Sequence, residues 1–529
     1  MSIPFGRLLL IAHLSRSYLV SADAFSSARA TTFSLVIILL WCAVVFVGVA
    51  HHEFWRDEVI LLTIAIKPDS VFGLFAEIRD AGHPLVWYLL LRFVHNIVQS
   101  PVALPITSMA VALGGVLVFV ALSPFANWQK ILFIFGVFPL YQYSVMPRNY
   151  GLAMPLLFLF AHYYRSRNNN PLILAALLFV LANTSAHACL IAAVLTLIWI
   201  VEYWLGERRK ITLHLASFSI VAIGGVTALV TTLPPADTVV TNAVSSGIGL
   251  VETLIVGSSH LLRPAASFPE IWVGLPSFWM GFAFWGLVAG LLVRPTRSIG
   301  LILGALILAL FFSLVTHSHI RHQGMLYLLI ITLYWMTLAE TGAVTTWAAR
   351  FHRRVASIGL GALLIVHAFL GVHAIQGEIT GKLSSVKDLA AYIKTSAPNA
   401  VLVPEPAYIM EAAPYYLDNE MFFVREKKYA KRAALTFHRL THLSLEQLLQ
   451  SAQELQLKRE KPVLIVLGHI NLQNRHNYEI EFPFAKVFTW SDNSLAYFND
   501  HTEKVAEFTD SPGPEQFEVY RLRERTEPQ

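Results

Sequence analysis

Apolar and polar positions alternate along this chain in long blocks. Residues 31–50 form an uncharged apolar run that stops at His51, His52, Glu53, Phe54, Trp55, Arg56, Asp57 and Glu58. A run of about 20 apolar residues is the length that crosses a bilayer as a helix. Further runs at roughly 85–98, 101–122, 131–146, 150–164, 171–186, 188–204, 212–233, 272–293, 298–316, 323–340 and 356–376 bring the prediction to about twelve spans. Between the first two runs, residues 57–66 and 70–80 each predict a short amphipathic helix. The second carries Val71, Phe72, Leu74, Phe75 and Ile78 on one face and Glu77, Arg79 and Asp80 on the other. Helices of that kind lie in the interface plane of a membrane.

After about residue 377 charge becomes frequent and the apolar runs shrink to strand length. Residues 387–395, 409–417 and 443–455 predict helices, and residues 400–404, 421–424 and 462–467 predict strands. The tail, 504–522, predicts two more strands joined by Ser511, Pro512, Gly513 and Pro514. Helices alternating with apolar strands argue for a small α/β sheet packed on both faces. The expected class is therefore an α-helical polytopic membrane protein with a C-terminal soluble α/β domain. Its divisions are an N-terminal segment 1–30, a transmembrane part 31–377 with a first outer loop 51–83, and the domain 378–529.

Composition supports this class. Of 529 residues, 55% are hydrophobic and 14% charged, and the mean hydropathy is +0.56, well outside the range of a soluble domain. A net charge of +5 suggests nucleic acid at first sight. The basic residues, however, sit in short clusters between apolar runs: Arg208, Arg209 and Lys210; Arg294 and Arg297; Arg350, Arg353 and Arg354. That placement is a positive-inside signal and makes nucleic acid an unexpected partner. Arg7, Arg16 and Arg29 place residues 1–30 in the cytoplasm, so the first span carries Asp57 and Glu58 outside. Working backward from the cluster at 350–354, Arg148, His187, the loop 234–271 and the histidines from His317 to His322 also fall outside, with the C-terminal domain. Counting forward, the parity fails between residues 100 and 150, so one segment there is split, re-entrant or partly spanning. The two cysteines, Cys42 and Cys189, lie in or beside apolar runs and make no disulfide framework.

Carboxylates beside a span are costly, about 2.5–3.5 kcal/mol at a helix centre and less at the interface, which marks Asp57 and Glu58 as a candidate catalytic pair. The competing reading is that they favour the N-terminus of the first interfacial helix. A carboxylate at that height meets a lipid-linked substrate whose phosphate sits at headgroup depth, and can deprotonate an acceptor hydroxyl. Arg321 and His322, at the outer start of a late span, put a guanidinium where it can hold a phosphate through bidentate bonds. Arg148 has the same capacity, against the alternative of snorkelling to the interface. His187 is a further outer-level candidate, against the alternative of a satisfied structural histidine. The histidines at 51, 52, 83, 317, 319 and 322 invite a divalent metal, yet no tight histidine pair accompanies the acids, so no metal ligand is assigned.

The acidic pair after the first span, the interfacial helices, and Gly82, His83, Pro84 and Leu85 with Trp87 and Tyr88 opening the second span resemble the first outer loop of the GT-C membrane glycosyltransferases. The style is that of family 39, the protein O-mannosyltransferases and the bacterial lipid A aminoarabinose transferases. Residues 146–153, with Arg148, Tyr150 and Ala153, resemble the Ala-Arg-Tyr/Phe-Ala element at the outer start of a middle span in that superfamily. The resemblance covers roughly residues 31–330. It implies Asp57 as base with Glu58 beside it, His83 shaping the same pocket, Arg148 and Tyr150 reaching the cavity, and a polyprenyl-phosphate sugar as donor. The chain departs from the pattern in having His-Pro-Leu where many relatives have His-Pro-Pro, and its other outer acids are Asp237 and Glu270.

These features predict an inverting glycosyltransferase that moves one sugar from a polyprenyl-phosphate carrier to a glycan, lipid or protein acceptor on the outer side of a membrane, expected to be a bacterial inner membrane. A transporter or flippase for a lipid-linked sugar is the rival class. It is disfavoured by acids gathered in one outer loop and by the lack of internal repeat symmetry.

Overall fold

The computed structural model describes residues 32–79, 82–206, 210–233, 277–315, 319–340, 347–431, 442–459, 461–468, 478–482, 486–511 and 515–523, with positions 470, 472 and 513. The N-terminal segment 1–30, the loop 234–271 with Asp237 and Glu270, and Arg208, Arg209 and His317 lie outside the described residues.

The helices run in order as α1 (Thr32–His51), α2 (Arg56–Ile66), α3 (Val71–Ile78), α4 (Val86–Val98), α5 (Ala103–Leu122), α6 (Asn127–Ile134), α7 (Ala153–Tyr163), α8 (Pro171–Ala182), α9 (Ala186–Leu205), α10 (Ile211–Thr232), α11 (Ser277–Gly290), α12 (Pro295–Leu314), α13 (Ile320–Glu340) and α14 (Trp347–Thr380). Seven of these, among the described residues, are long and apolar enough to cross a membrane: α1, α5, α9, α10, α12, α13 and α14. By length and composition the protein is an integral membrane one. Shorter apolar helices lie at Val86–Val98, Pro171–Ala182 and Gly281–Gly290, so seven of the roughly twelve expected spans are long apolar helices among the described residues.

The parity failure has a structural counterpart. The run 131–146 is not one helix: α6 stops at Ile134, a π-helical turn covers Phe138–Gln142, and a 3-10 turn at Asn149–Leu152 leads into α7. Gly136 and Pro139 break the continuous ladder, since proline supplies no N–H. Helix α13 packs directly on this broken segment. A β-carbon at Gly324 would come within 2.2 Å of the Tyr143 hydroxyl, so only glycine permits the approach. Most of α13 is buried, as expected of a helix that is apolar all round.

The two ends of the bundle differ in chemistry. At one end Arg167, Arg294 and Arg297 gather on Glu202 and Glu340, with Arg297 Nε 3.0 Å from Glu202 and the Tyr164 hydroxyl donating to Glu202. Arg294 and Arg297 are among the arginines that the sequence marks as topology signals. At the other end stand the ends of α1 and α14 and the starts of α7, α9 and α13, where the candidate residues meet.

Among the described residues the C-terminal region forms α15 (Val386–Ser396), α16 (Leu445–Arg459), α17 (Asp492–His501) and nine strands. A four-stranded sheet has the order β1 (Val401–Glu405), β5 (Val463–Gly468), β9 (Phe517–Leu522), β8 (Thr502–Phe508), with β1 parallel to β5 and the other pairs antiparallel. Strands β1 and β5 are buried at every position, as strands covered on both faces must be. The expected helix over 409–417 is instead two 3-10 turns, Ala407–Met410 and Ala413–Tyr415. Pro414 removes a donor and disfavours helical backbone at the residue before it. The second sheet, β4 (His442–Ser444), β7 (Lys486–Thr489) and β6 (Glu479–Phe482), has no counterpart in the sequence reading.

The core does not divide at residue 377. One buried cluster lies within the helical bundle. A second joins Val59, Leu62, Ile64, Leu74, Trp87 and Leu91 of the first loop and α4 to the strands and helices of the C-terminal region. The loop that carries Asp57 thus shares its core with the last part of the chain.

Candidate active site

Helix α2 begins one residue before Asp57, so the carboxylate sits in the first turn, where the helix dipole favours an anion. Three guanidinium groups converge on it. Arg56 Nη2 is 3.0 Å from Asp57 Oδ1, Arg148 Nη1 is 3.4 Å from Oδ2, and Arg321 Nη2 is 3.3 Å from Oδ2. Arg148 also donates to the Asp57 backbone carbonyl. Arg148 is 6% exposed and stands at the extended residue preceding the 3-10 turn Asn149–Leu152. It is therefore buried in an ion pair, not snorkelling. Arg321 enters from the first turn of α13, its guanidinium 5.8 Å from the Trp55 ring. Burial raises the pKa of Asp57, but Arg148, Arg56 and Arg321 outweigh that and hold the carboxyl below its usual range. Three cations against one anion leave a surplus of positive charge at the site, and the Nε atoms of Arg148 and Arg321 are buried without a hydrogen-bond partner.

Tyr150 links this cluster to a group of imidazoles. Its hydroxyl lies 2.9 Å from His322 Nε2, and its ring is 5.9 Å from that of His83 and 5.8 Å from that of His187. His187 stacks on His322 at 4.6 Å. Gly82, at φ +66°, makes the turn that brings His83 inward, a conformation that favours glycine. Burial, with Arg148, His187 and Arg321 nearby, pushes His83 down to about 3, so it is a neutral ring at physiological pH. Both ring nitrogens of His187 are buried without a hydrogen-bond partner. Asp57, His83, Arg148, Tyr150, His187, Arg321 and His322 are thus brought to one place. Among the described residues no three of His, Cys, Asp and Glu converge as a set that could hold a metal ion.

Glu58 is placed elsewhere. Its carboxylate is fully buried and faces His52 Nε2 at 2.9 Å, while His52 Nδ1 is 3.0 Å from Glu378 near the end of α14. The Tyr141 hydroxyl donates to Glu378. Neighbouring side chains on a helix point about 100° apart, so Asp57 and Glu58 serve two different clusters. Sequence reasoning missed Arg56 as a partner of Asp57. It also missed the contacts from the C-terminal region: Glu515 accepts from the Arg56 N–H at 2.7 Å, Tyr416 accepts from the Phe54 N–H at 2.8 Å, and the Arg56 guanidinium lies over the Tyr408 ring at 5.1 Å. No local pattern marks these residues, because their partners lie hundreds of positions away.

No family model and no curated protein matches the chain. Among solved structures it is similar to ArnT from Cupriavidus metallidurans in the apo state, 12% identical with a TM-score of 0.45, covering 93% of this chain and 98% of that one. It is also similar to the arabinofuranosyltransferase AftD from Mycobacteria, 12% identical with a TM-score of 0.33, covering 94% of this chain and 40% of that one.

Proposed function

We propose that the protein is a membrane glycosyltransferase that moves a sugar from a polyprenyl-phosphate carrier to an acceptor hydroxyl on the outer side of the membrane, with Asp57 as general base. The observation that carries this reading is the single carboxylate held by Arg56, Arg148 and Arg321 at the mouth of the helical bundle. In the resting protein the guanidiniums keep Asp57 ionised and weakly basic. A lipid phosphate entering the same cations draws Arg148 and Arg321 toward itself through charge-assisted bonds. Asp57 then regains proton affinity as the acceptor arrives. It takes the acceptor proton while the oxygen attacks the anomeric carbon, and the arginines stabilise the charge that develops on the phosphate leaving group. Tyr150 and the rings of His83, His187 and His322 supply a hydrogen-bonding and aromatic wall suited to a sugar. Lipid, glycan and protein remain alternative acceptors.

The test is transfer of radiolabelled sugar from a panel of polyprenyl-phosphate pentoses and hexoses to membrane acceptors, with wild type beside Asp57→Asn and Arg321→Ala at equal expression. The expected loss for Asp57→Asn is about 10²- to 10⁴-fold, with binding of polyprenyl phosphate retained. Wild type inert toward every donor, or an Asp57→Asn variant as active as wild type, refutes the assignment and favours a transporter.

A further inference from the structure

An α-helix begins with four backbone N–H groups that lack intrahelical partners. Helix α2 has Trp55 at its N-cap, a residue with no short polar side chain to accept from them. Its first N–H, that of Arg56, is satisfied from the far end of the chain, donating to Glu515 Oε1 at 2.7 Å across 459 positions. Asp57 is the next residue. Glu515 is 1% exposed, and its backbone carbonyl accepts from the Ser385 N–H at 3.1 Å and the Ser511 hydroxyl at 3.0 Å. The C-terminal region therefore fixes Glu515 independently of α2. Two tyrosines of the same region hold the helix on either side of this point: Tyr416 accepts from the Phe54 N–H, and the Tyr415 hydroxyl lies 2.8 Å from Thr63 Oγ1.

We propose that Glu515 is a positioning residue for the transfer reaction, capping α2 in trans so that the C-terminal region sets where the Asp57 carboxylate stands against Arg148 and Arg321. The proposal deepens the function given above and rests on it, because it takes Asp57 to be the base. A carboxylate suits the place, since the helix N-terminus favours an anion and the cap oxygen accepts an N–H directly. Burial pushes the Glu515 carboxyl up to about 7, against the hydrogen bonds from Ser384 and the Arg56 N–H. The cap does not require the ionised form, because a protonated carboxyl still accepts through its carbonyl oxygen. Position matters at this site because a misplacement of about 1 Å in reacting groups can cost about a hundredfold in rate.

The experiment uses the full chain in lipid nanodiscs. It measures kcat and KM with whichever polyprenyl-phosphate pentose or hexose wild type accepts, and affinity for undecaprenyl phosphate by tryptophan fluorescence. Glu515→Ala should lower kcat about tenfold or more, toward the hundredfold that a misplacement of about 1 Å costs, with KM and phosphate affinity held within about twofold. Glu515→Gln keeps an accepting carbonyl and should restore most of the rate. A merely structural role would move kcat, KM and phosphate affinity together, with no rescue by glutamine, and that result overturns the proposal. Should the alanine variant fold poorly, amide hydrogen exchange decides the matter. In folded Glu515→Gln, protection at Arg56 and Asp57 should stay near the wild-type level, while in residual folded Glu515→Ala it should fall at those amides before the rest of α2. Equal protection in both variants overturns the cap. Asp57→Asn is run alongside: if it is inactive and Glu515→Ala is fully active, this inference alone fails. If Asp57→Asn is active, the assignment of the base fails and the proposal goes with it.

Discussion

His52→Gln is the sharpest perturbation of the scaffold beneath the site. His52 bridges two carboxylates, Glu58 on α2 at 2.9 Å and Glu378 near the end of α14 at 3.0 Å, and all three side chains are buried. Burial by itself would lower the pKa of His52, but Glu58 and Glu378 outweigh it and hold the ring at about 10, against an ordinary 6.5. A shift of that size is worth on the order of 5 kcal/mol. Breaking a buried pair by removing one partner costs about 3–5 kcal/mol, so two separate routes give the same magnitude. The folded-state value is raised. The stabilisation is therefore complete below pH 6.5 and is lost as pH rises through about 10. Thermal unfolding of detergent-solubilised protein, followed across that window, should show wild type losing stability with rising pH. His52→Gln should start several degrees lower at neutral pH and show a much flatter dependence. A variant as stable as wild type, or one with the same slope, would show that the imidazolium does not hold the two carboxylates together.

Other consequences are testable with single substitutions. Arg321→Lys keeps the charge but gives up the planar fork, and should weaken undecaprenyl phosphate binding about tenfold in a fluorescence titration; unchanged affinity would remove Arg321 from the phosphate contact. Arg297→Ala strips the buried partner of Glu202 and Glu340 at the opposite end of the bundle and should cost about 3–5 kcal/mol of stability, read as a lower melting temperature, while the folded fraction keeps its turnover. Phe72 is 86% exposed on α3, as expected of a ring that meets lipid; Phe72→Ser should leave melting unchanged and lower kcat/KM in bilayers more than in detergent, and equal effects in both would argue against lipid contact. His83 has a depressed pKa, so the folded state is destabilised as pH falls from 6.5 toward about 3. His83→Gln should soften acid unfolding across that range, and an identical acid profile would count against a buried neutral ring.

Much of this was legible in the chain because it rests on local rules. The amphipathic pattern located α2 and α3 within a residue or two, and strands β1 and β5 stood out as short apolar blocks. The broken segment between α6 and α7 announced itself only as an arithmetic failure, since its residues are as apolar as any span and the break depends on Gly136 and Pro139. The convergence of Asp57, Arg148 and Arg321 was reachable through the motifs around them. The separation of Asp57 from Glu58 was not, because adjacency in sequence suggests a pair while helical geometry sends the two carboxylates to different partners. Glu378, Tyr416 and Glu515 were invisible for a simpler reason. Each acts through a partner more than 200 positions away, and nothing in their own neighbourhoods distinguishes them.

The shared core of the first loop and the C-terminal region also sets the order of events during synthesis. Arg56 leaves the ribosome 459 residues before the glutamate that caps its helix. At about 5–20 residues per second that interval is roughly 20–90 s, during which the first turn of α2 has no partner for its leading N–H. A nascent or truncated chain therefore carries the acidic loop in an unfinished state, and the first turn of α2 gains its cap only once Glu515 is in place. Stalled chains released before residue 515 should show no amide protection at Arg56, whereas chains released after residue 523 should.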